Sequence, residues 1–512
     1  MRPTVLAAIF PAFLSTVLAT LPAAAAAFTQ YPVPGAAAVN PDVHLVLRFD
    51  SSPTLARAGR IRIYDAAGDR LVDTLDLAIP DGPTERAAGP YPPYLATPYD
   101  YGGPRRSNAD TRAGTPSAPG VEPNSDRYQL DIIGGFSDGF HFHPVIVHGN
   151  TATITPHHNL LEYGHSYYVQ IDPGVLNLDD GSFHGIAGKT AWRFATKARA
   201  PHADARELTV SMDGSGDFDT VQGALDFVPD QHAGHVTIFV KNGDYEEIVY
   251  ARNKHDLTIL GQDRERVRIH YANNEVFNPH PAKVGTSELP GSFPSRRAAF
   301  ALDHVRDLTL ARLSIASTLE GQAEGLLING ERTIVSDVNI TGSGDALQTN
   351  GSAYFERIHL VGGGDTILGR GPAWFRDSLI ESRGPFMWIR NTQANHGNVF
   401  VDCSFLTRNG GQTVLARLPA NKGKNYPYAE AVLIHATLDG IAPIGWDPID
   451  DDASQVHFWE FDSRDPAGRP VDTHARHPAS RQLDRVKDAE VIAHYRDPGF
   501  VLGGWRPAPV TY

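Results

Sequence analysis

Short apolar runs recur through the second half of the chain, each followed by a small or polar corner and a second short run. LTLARLSI occupies 308–315, TIVSDVNI 333–340, AYFERIHL 353–360, AWFRDSLI 373–380 and NVFVDCSF 398–405; AVLIHATL at 431–438 continues the series after a longer excursion. The first five starts are 25, 20, 20 and 25 residues apart. Units this short cannot bury an apolar face alone and must stack. The pattern therefore predicts a parallel β-helix in which each coil lies about 4.8 Å above the last. A β-sandwich, which would need hairpin turns, is the alternative. Ahead of the repeat, HVTIFVKNGDYEEIVY at 235–250 and LTILGQ at 257–262 read as strands of a buried sheet. The segment from Thr220 to Phe227 reads as an amphipathic helix, with Val221, Ala224, Leu225 and Phe227 apolar.

The first half alternates with period two. HLVLRF at 44–49, RIRIYD at 60–65, RLVDTLDL at 70–77, VIVHG at 145–149, TATITP at 151–156, HSYYVQI at 165–171 and AWRFAT at 191–196 are separated by turn residues. Strands at this spacing predict a β-sandwich over 28–200. A Pro/Gly-rich insertion at 82–127 interrupts it. The histidines of FHFHP at 140–144 alternate as surface residues do, and no third ligand accompanies them to suggest a metal.

At 512 residues, two or more domains are expected. Residues 1–27 carry one basic residue, Arg2, then an apolar run and a string of alanines, the pattern of a secretory signal peptide cleaved after Ala27. A single membrane anchor is the alternative, opposed by Pro11 and Pro22; stable membrane insertion is not expected. Without that segment the formal charge goes from −14 to −15, which excludes a nucleic-acid partner and disfavours a fully ionised polyanion. Cys403 is the sole cysteine, so an exported chain must rely on packing, with no internal disulfide.

The candidate chemistry lies between Gly321 and Arg417. Asp345 falls twelve residues after Thr333, and Asp365 twelve after Ala353. The spacing predicts two carboxylates at equivalent places on adjacent coils, about 5 Å apart at the backbone. Gln322, fourteen after Leu308, falls close to the same column, and Pro385 closes it. Like charges this close favour one ionised and one protonated carboxyl, a nucleophile beside a general acid. A pair of aspartates in solvated turns remains open on spacing alone.

The segment from about 206 to 512 resembles the pectin methylesterase (pectinesterase) family. VSMDGSGDFDTVQGALDFVP at 210–229 is similar to the family's opening segment, and Gly243, Tyr245 and Glu247 supply its G-x-Y-x-E motif. QAEGL at 322–326, GDAL at 344–347, DTILG at 365–369 and LARLP at 415–419 follow in family order, resembling QAVAL, QDTL, DFIFG and LGRPW. The first half diffusely resembles the bacterial Ig-like domains found beside secreted enzymes. The resemblance implies an all-β protein, a right-handed parallel β-helix catalytic domain over 206–512 preceded by an Ig-like β-sandwich. It implies hydrolysis of the methyl esters of galacturonate in pectin, releasing methanol and pectate, by a secreted or periplasmic monomer needing no cofactor or metal. It assigns Asp365 as nucleophile, Asp345 as general acid and base, Gln322 as oxyanion donor and Arg417 as the group that keeps Asp365 ionised. Tyr245 and Glu247 are expected to be structural.

Three departures bear on the substrate. Gly344 stands where QDTL has its glutamine, and loss of one oxyanion donor costs about 10²–10³ in rate. Leu418 and Pro419 stand where the family has Pro-Trp, and DTILG lacks both phenylalanines of DFIFG. Trp388, Phe386, Trp374 and Trp446 are the candidates for a replacement sugar-stacking face, each with a core role as its alternative. Another ester or thioester hydrolase on the same scaffold, or a weakly active carbohydrate-binding surface protein, are the competing functions. A lyase would need a Ca²⁺ carboxylate cluster, and a polygalacturonase a further carboxylate.

Overall fold

Thr333, Ala353, Ala373, Asn398 and Ala431 stand in register on successive coils, so the repeat units stack start upon start. This is a computed structural model; it describes residues 1, 28–86, 128–134, 140–229, 232–279, 296–408, 410–417, 419–421, 424–447, 453–508 and 510. All but the first residue of the predicted signal segment, all but the first residues of the 82–127 insertion, and Leu418 lie outside those residues. From Glu207 to Gln482 the described strands form one 22-stranded assembly, a parallel β-helix, apart from a small hairpin of Ala420–Asn421 with Lys424–Asn425. Inside it, Phe355, Phe375 and Phe400 stack with centroids 4.4 and 4.5 Å apart, the rung spacing imposed on aromatic rings. Ile340, Leu360, Ile380, Phe405 and Leu438 form a second buried column.

The polar corners between paired strands have a backbone cause. Arg357, Asp377, Asp402 and His435 each take a positive φ, between 47° and 55°, at the bend of successive coils. This left-handed conformation is tolerated best by Asp and Asn among non-glycine residues, which accounts for the aspartates there.

The first half forms two antiparallel four-stranded sheets. Leu45–Phe49 pairs with Phe28–Tyr31 and Thr151–Ile154, with Val145–His148 at the edge. Arg60–Asp65 pairs with Arg70–Asp76 and Ser166–Ile171, with Arg193–Ala195 outermost. Both sheets contribute to one apolar cluster, and that cluster continues into the coil through Tyr250, Tyr271, Phe277, Ala299, Ala301 and Leu327. His141 is buried within it, its Nδ1 2.5 Å from the Phe277 carbonyl, and His143 stacks on the Phe277 ring at 4.6 Å. The FHFHP histidines thus dock the two halves and are not the surface residues their alternation suggested.

Helix α1 (Val221–Phe227) closes the start of the coil. Thr220 caps it, and Glu247 accepts from the Val221 and Gln222 N–H groups at 2.8 and 3.0 Å, the structural role expected of it. Asp42, from the first half, accepts from the backbone of Asp219 and Thr220 and from the Thr220 hydroxyl at 2.8–2.9 Å. Gly223 makes room for it: a Cβ there would lie 2.3 Å from the Asp42 carboxylate. At the far end, α2 (Ala489–Arg496) and α3 (Pro498–Val501) cover a buried patch of Trp374, Val399, Val432 and Tyr495.

Candidate active site

Gln322 pairs with Gly344, and Gly344 with Gly364, in parallel bridges on three successive coils. Asp345 and Asp365 are therefore in register, one residue further on, and both hold a positive φ, 63° and 45°. Gln322 is offset by one: Ala323, not Gln322, stands level with the aspartates. The closing position is Pro385, whose carbonyl accepts from the Thr366 N–H at 3.4 Å.

Each aspartate has its own arginine. Arg297 Nη2 donates to Asp345 Oδ2 at 2.9 Å, and Arg417 Nη1 donates to Asp365 Oδ2 at 2.8 Å. Asp345 is nearly sealed, its side chain 6 % exposed, whereas Asp365 is 19 % exposed. Burial raises the Asp345 carboxyl above the ordinary carboxylate range; Arg297 opposes the rise and the Asp365 charge adds to it. Asp365 is also raised. Burial is its largest influence and outweighs the hydrogen bond and charge of Arg417. The Arg417 bond expected from the sequence is present, and it works against that desolvation.

Gln322 is exposed, and its side-chain oxygen accepts from Arg297 Nη1 at 2.6 Å. Its backbone N–H donates to Glu275 Oε2 at 2.7 Å. The Gly344 N–H is already committed to the Gly321 carbonyl at 2.7 Å, so it does not replace the amide missing at that position.

The four aromatic candidates separate cleanly. Trp388 is half-buried beside the aspartates, with Arg417 and Arg390 guanidiniums 4.7 and 4.6 Å from its ring centroid and Tyr426 edge-on at 6.0 Å. Phe386 is wholly buried against Phe405. Trp374 stacks on Tyr354 and donates to the Tyr495 carbonyl at 3.0 Å under the C-terminal helices. Trp446 is wholly buried on Phe458, donating to Glu460 at 3.2 Å. These three are packing residues because their coil positions turn them inward or beneath α2; Trp388 alone of the four is half-buried and lies against Arg417.

The structure adds residues that the sequence reading passed over. Arg297 and Glu324 form a buried ion pair, with Arg297 Nε 2.8 and 2.9 Å from the two Glu324 oxygens. Glu324 was legible as a charge inside QAEGL, where the resembling motif has an apolar residue; Arg297 lies before a strand with no motif of its own. Arg390 is buried near both aspartates, and burial pulls its guanidinium down to about 10. A groove of about 210 Å³ crosses successive coils next to the aspartate turns, lined by Glu320, Ser343, Gly363, Arg383 and Arg408 among others. Among the described residues no cluster of three or more His, Cys, Asp or Glu is arranged to hold a metal.

Fold and site define a parallel β-helix protein with an aspartate pair set between arginines on adjacent coils. A family model described as Pectinesterase matches residues 207–493, more than half of the chain, and the chain belongs to the pectinesterase family. Pectinesterase QRT1 of Arabidopsis thaliana is 28 % identical over 299 residues, 55 % of this chain and 74 % of that protein. Pectinesterase 1 of Olea europaea is 26 % identical, covering 60 % of this chain and 83 % of its own. Against Pectinesterase 5 of Arabidopsis thaliana, at 24 % identity, the chain spans about half of the relative's length, 49 %. Among solved structures, a pectin methylesterase from carrot is similar at 19 % identity with a TM-score of 0.48, covering 60 % of this chain and 95 % of that one.

Proposed function

We propose that this protein is a carboxylic ester hydrolase that removes methyl esters from galacturonate residues of pectin, releasing methanol and pectate. The observation that carries the reading is the in-register pair Asp345 and Asp365, each bonded to its own arginine, inside the segment matched by the pectinesterase family.

Asp365, the more exposed carboxyl, attacks the ester carbonyl while Arg417 holds it in place. Asp345, more deeply buried, protonates the departing methanol, then takes a proton from the water that releases the acid from Asp365. Gln322 donates its amide to the oxyanion, and Trp388 offers its ring to the sugar. The negative net charge suits a neutral, methylated stretch of the substrate. The domain reading goes with this proposal: a signal peptide at 1–27, an Ig-like unit over 28–200 and a catalytic unit over 206–512, acting as a monomer outside the cytoplasm. Among the described residues no helix is long and apolar enough to cross a membrane.

Gly344, with its N–H committed, favours a second reading, an ester hydrolase for a different acyl group. One assay separates the two. The purified protein is incubated with highly methylated pectin and with demethylated pectate, and methanol is measured. Methanol from the first substrate, lost in Asp365→Ala, is the expected result. No methanol at any degree of esterification overturns the pectin reading.

A further inference from the structure

Arg297 and Asp345 lie on coils separated by one intervening turn of chain. The Phe300–Leu326 pairing and the Ala299 N–H to Glu324 carbonyl bond, 3.0 Å, place the segment 297–300 directly beside 323–326. The residue level with Asp345 on that intervening coil is Ala323, which carries only a methyl group. A long side chain from the coil before can therefore pass it and reach the aspartate. Arg297 does so, and it meets three partners at once: Glu324, the Gln322 side-chain oxygen at 2.6 Å and Asp345 at 2.9 Å. Arg297 is 8 % exposed and Glu324 fully buried, so water screens little of this interaction.

We propose that Arg297 and Glu324 are a positioning pair for the ester chemistry: Arg297 ties Gln322 and Asp345 into one unit and supplies the countercharge for Asp345 after its proton has left, and Glu324 holds Arg297 there. The proposal rests on the reading of Asp345 as the group that protonates the departing alcohol. An amide whose oxygen is held presents its NH₂ on the other side, so the Arg297 bond fixes which end of Gln322 meets the oxyanion. The charges also balance. A lone guanidinium against Asp345 would strip its proton before the reaction; a second carboxylate shares that positive charge. When Asp345 protonates methanol it becomes a carboxylate beside Arg297, and it regains the proton from the hydrolytic water. Burial raises the Glu324 carboxyl to about 7, with Arg297 opposing and Asp345 adding to the rise, so the two acids respond to one another through the arginine.

The test uses the full chain and two readouts: the pH profile of kcat for methanol release, and the titration of Asp345 by ¹³C NMR with labelled aspartate, assigned against Asp345→Asn. Glu324→Gln keeps the shape of the partner and removes its charge. Arg297 then acts on Asp345 undiluted, and both the Asp345 titration and the alkaline limb of the profile are expected to move about one unit toward acid. Arg297→Gln is expected to move the Asp345 titration about one unit the other way and to lower kcat about a hundredfold with KM little changed. Arg297→Lys, which restores charge without the fork, recovers the titration more than kcat. If Glu324→Gln does not fold, the Arg297→Gln titration decides. An Asp345 titration that stays in place in a folded variant overturns the proposal. Absence of methanol from the wild-type protein, with the Asp345 titration moving as described, overturns the ester reading and leaves the coupling standing.

Discussion

Arg297 reaches Asp345 from two coils earlier in the stack, and Arg417 reaches Asp365 from two coils later. The aspartate pair is thus held from opposite directions along the coil axis. Each arginine bonds a different carboxyl of the pair, while the charge of Asp365 still acts on Asp345.

Replacing Asp365 with Asn is expected to lower kcat for methanol release by about 10³–10⁴ while leaving the melting temperature within a few degrees of wild type. Arg417→Met tests its support. The carboxyl loses the group that opposes its upward shift, so Asp365 ionises only at higher pH. The acid limb of the kcat/KM profile is expected to move to higher pH; an unmoved limb would show that Arg417 does not govern this carboxyl.

Trp388 touches the chemistry through Arg417. Trp388→Ala is expected to raise KM for methylated oligogalacturonides about tenfold and to lower kcat several-fold, because Arg417 loses the surface it rests on. Trp388→Tyr is expected to keep most of both. Steady-state kinetics on the two variants check this, with Trp374→Phe as a packing control that leaves KM alone.

Gly344→Gln asks whether the missing amide limits the rate. A Cβ at 344 would lie 3.0 Å from the Gly321 carbonyl, a tight contact that a small shift of the turn relieves. An added donor is expected to raise kcat about tenfold, below the full worth of an oxyanion donor because the turn must move. Unchanged kcat in a stable variant would mean that Gln322 alone meets the oxyanion's need.

Phe375 lies between Phe355 and Phe400, so Phe375→Ala removes two ring contacts and leaves a cavity that the coils cannot close. Chemical denaturation is expected to show a loss of about 3–5 kcal/mol.

Glu430 gives the fold an acid-sensitive tie. Burial alone would raise its carboxyl, but bonds from His396 and His457, both 2.8 Å, and from the Tyr495 hydroxyl, 2.6 Å, bring it down from 4.5 to about 2. A depressed carboxyl contributes stability above its unfolded value and loses it as pH falls through its folded one. The melting-temperature gap between wild type and Glu430→Gln is therefore expected to be full above pH 4.5 and to close as pH falls toward about 2.

The coil was legible because its signal is repeated: 333 and 353 begin units of equal length, and a spacing that recurs predicts its own register. Asp345 and Asp365 inherited that regularity. Gln322 sits in an earlier, longer unit, and there the count was off by one residue. Arg297 escaped notice for a related reason. Its contact with Asp345 crosses a whole coil and depends on the small side chain of Ala323, and neither fact has a local pattern. Trp374, Trp446 and Phe386 show the limit of composition: an aromatic near the site in sequence is turned inward or outward by its place on the coil, which only register decides. His141 misled in the same way, since alternation does not distinguish solvent from a neighbouring module.

The carboxylate of Asp42 fastened to the start of α1, and the apolar cluster that runs from Leu45 through Phe277 to Leu327, have a consequence for the history of this chain. Its two halves are not beads that can be exchanged one at a time. A coil transplanted from a relative would have to carry a glycine at 223 and apolar residues at 250, 271 and 327, or it would meet the first half with a clash and an exposed seam. Substitutions on either side of that seam are therefore expected to change together.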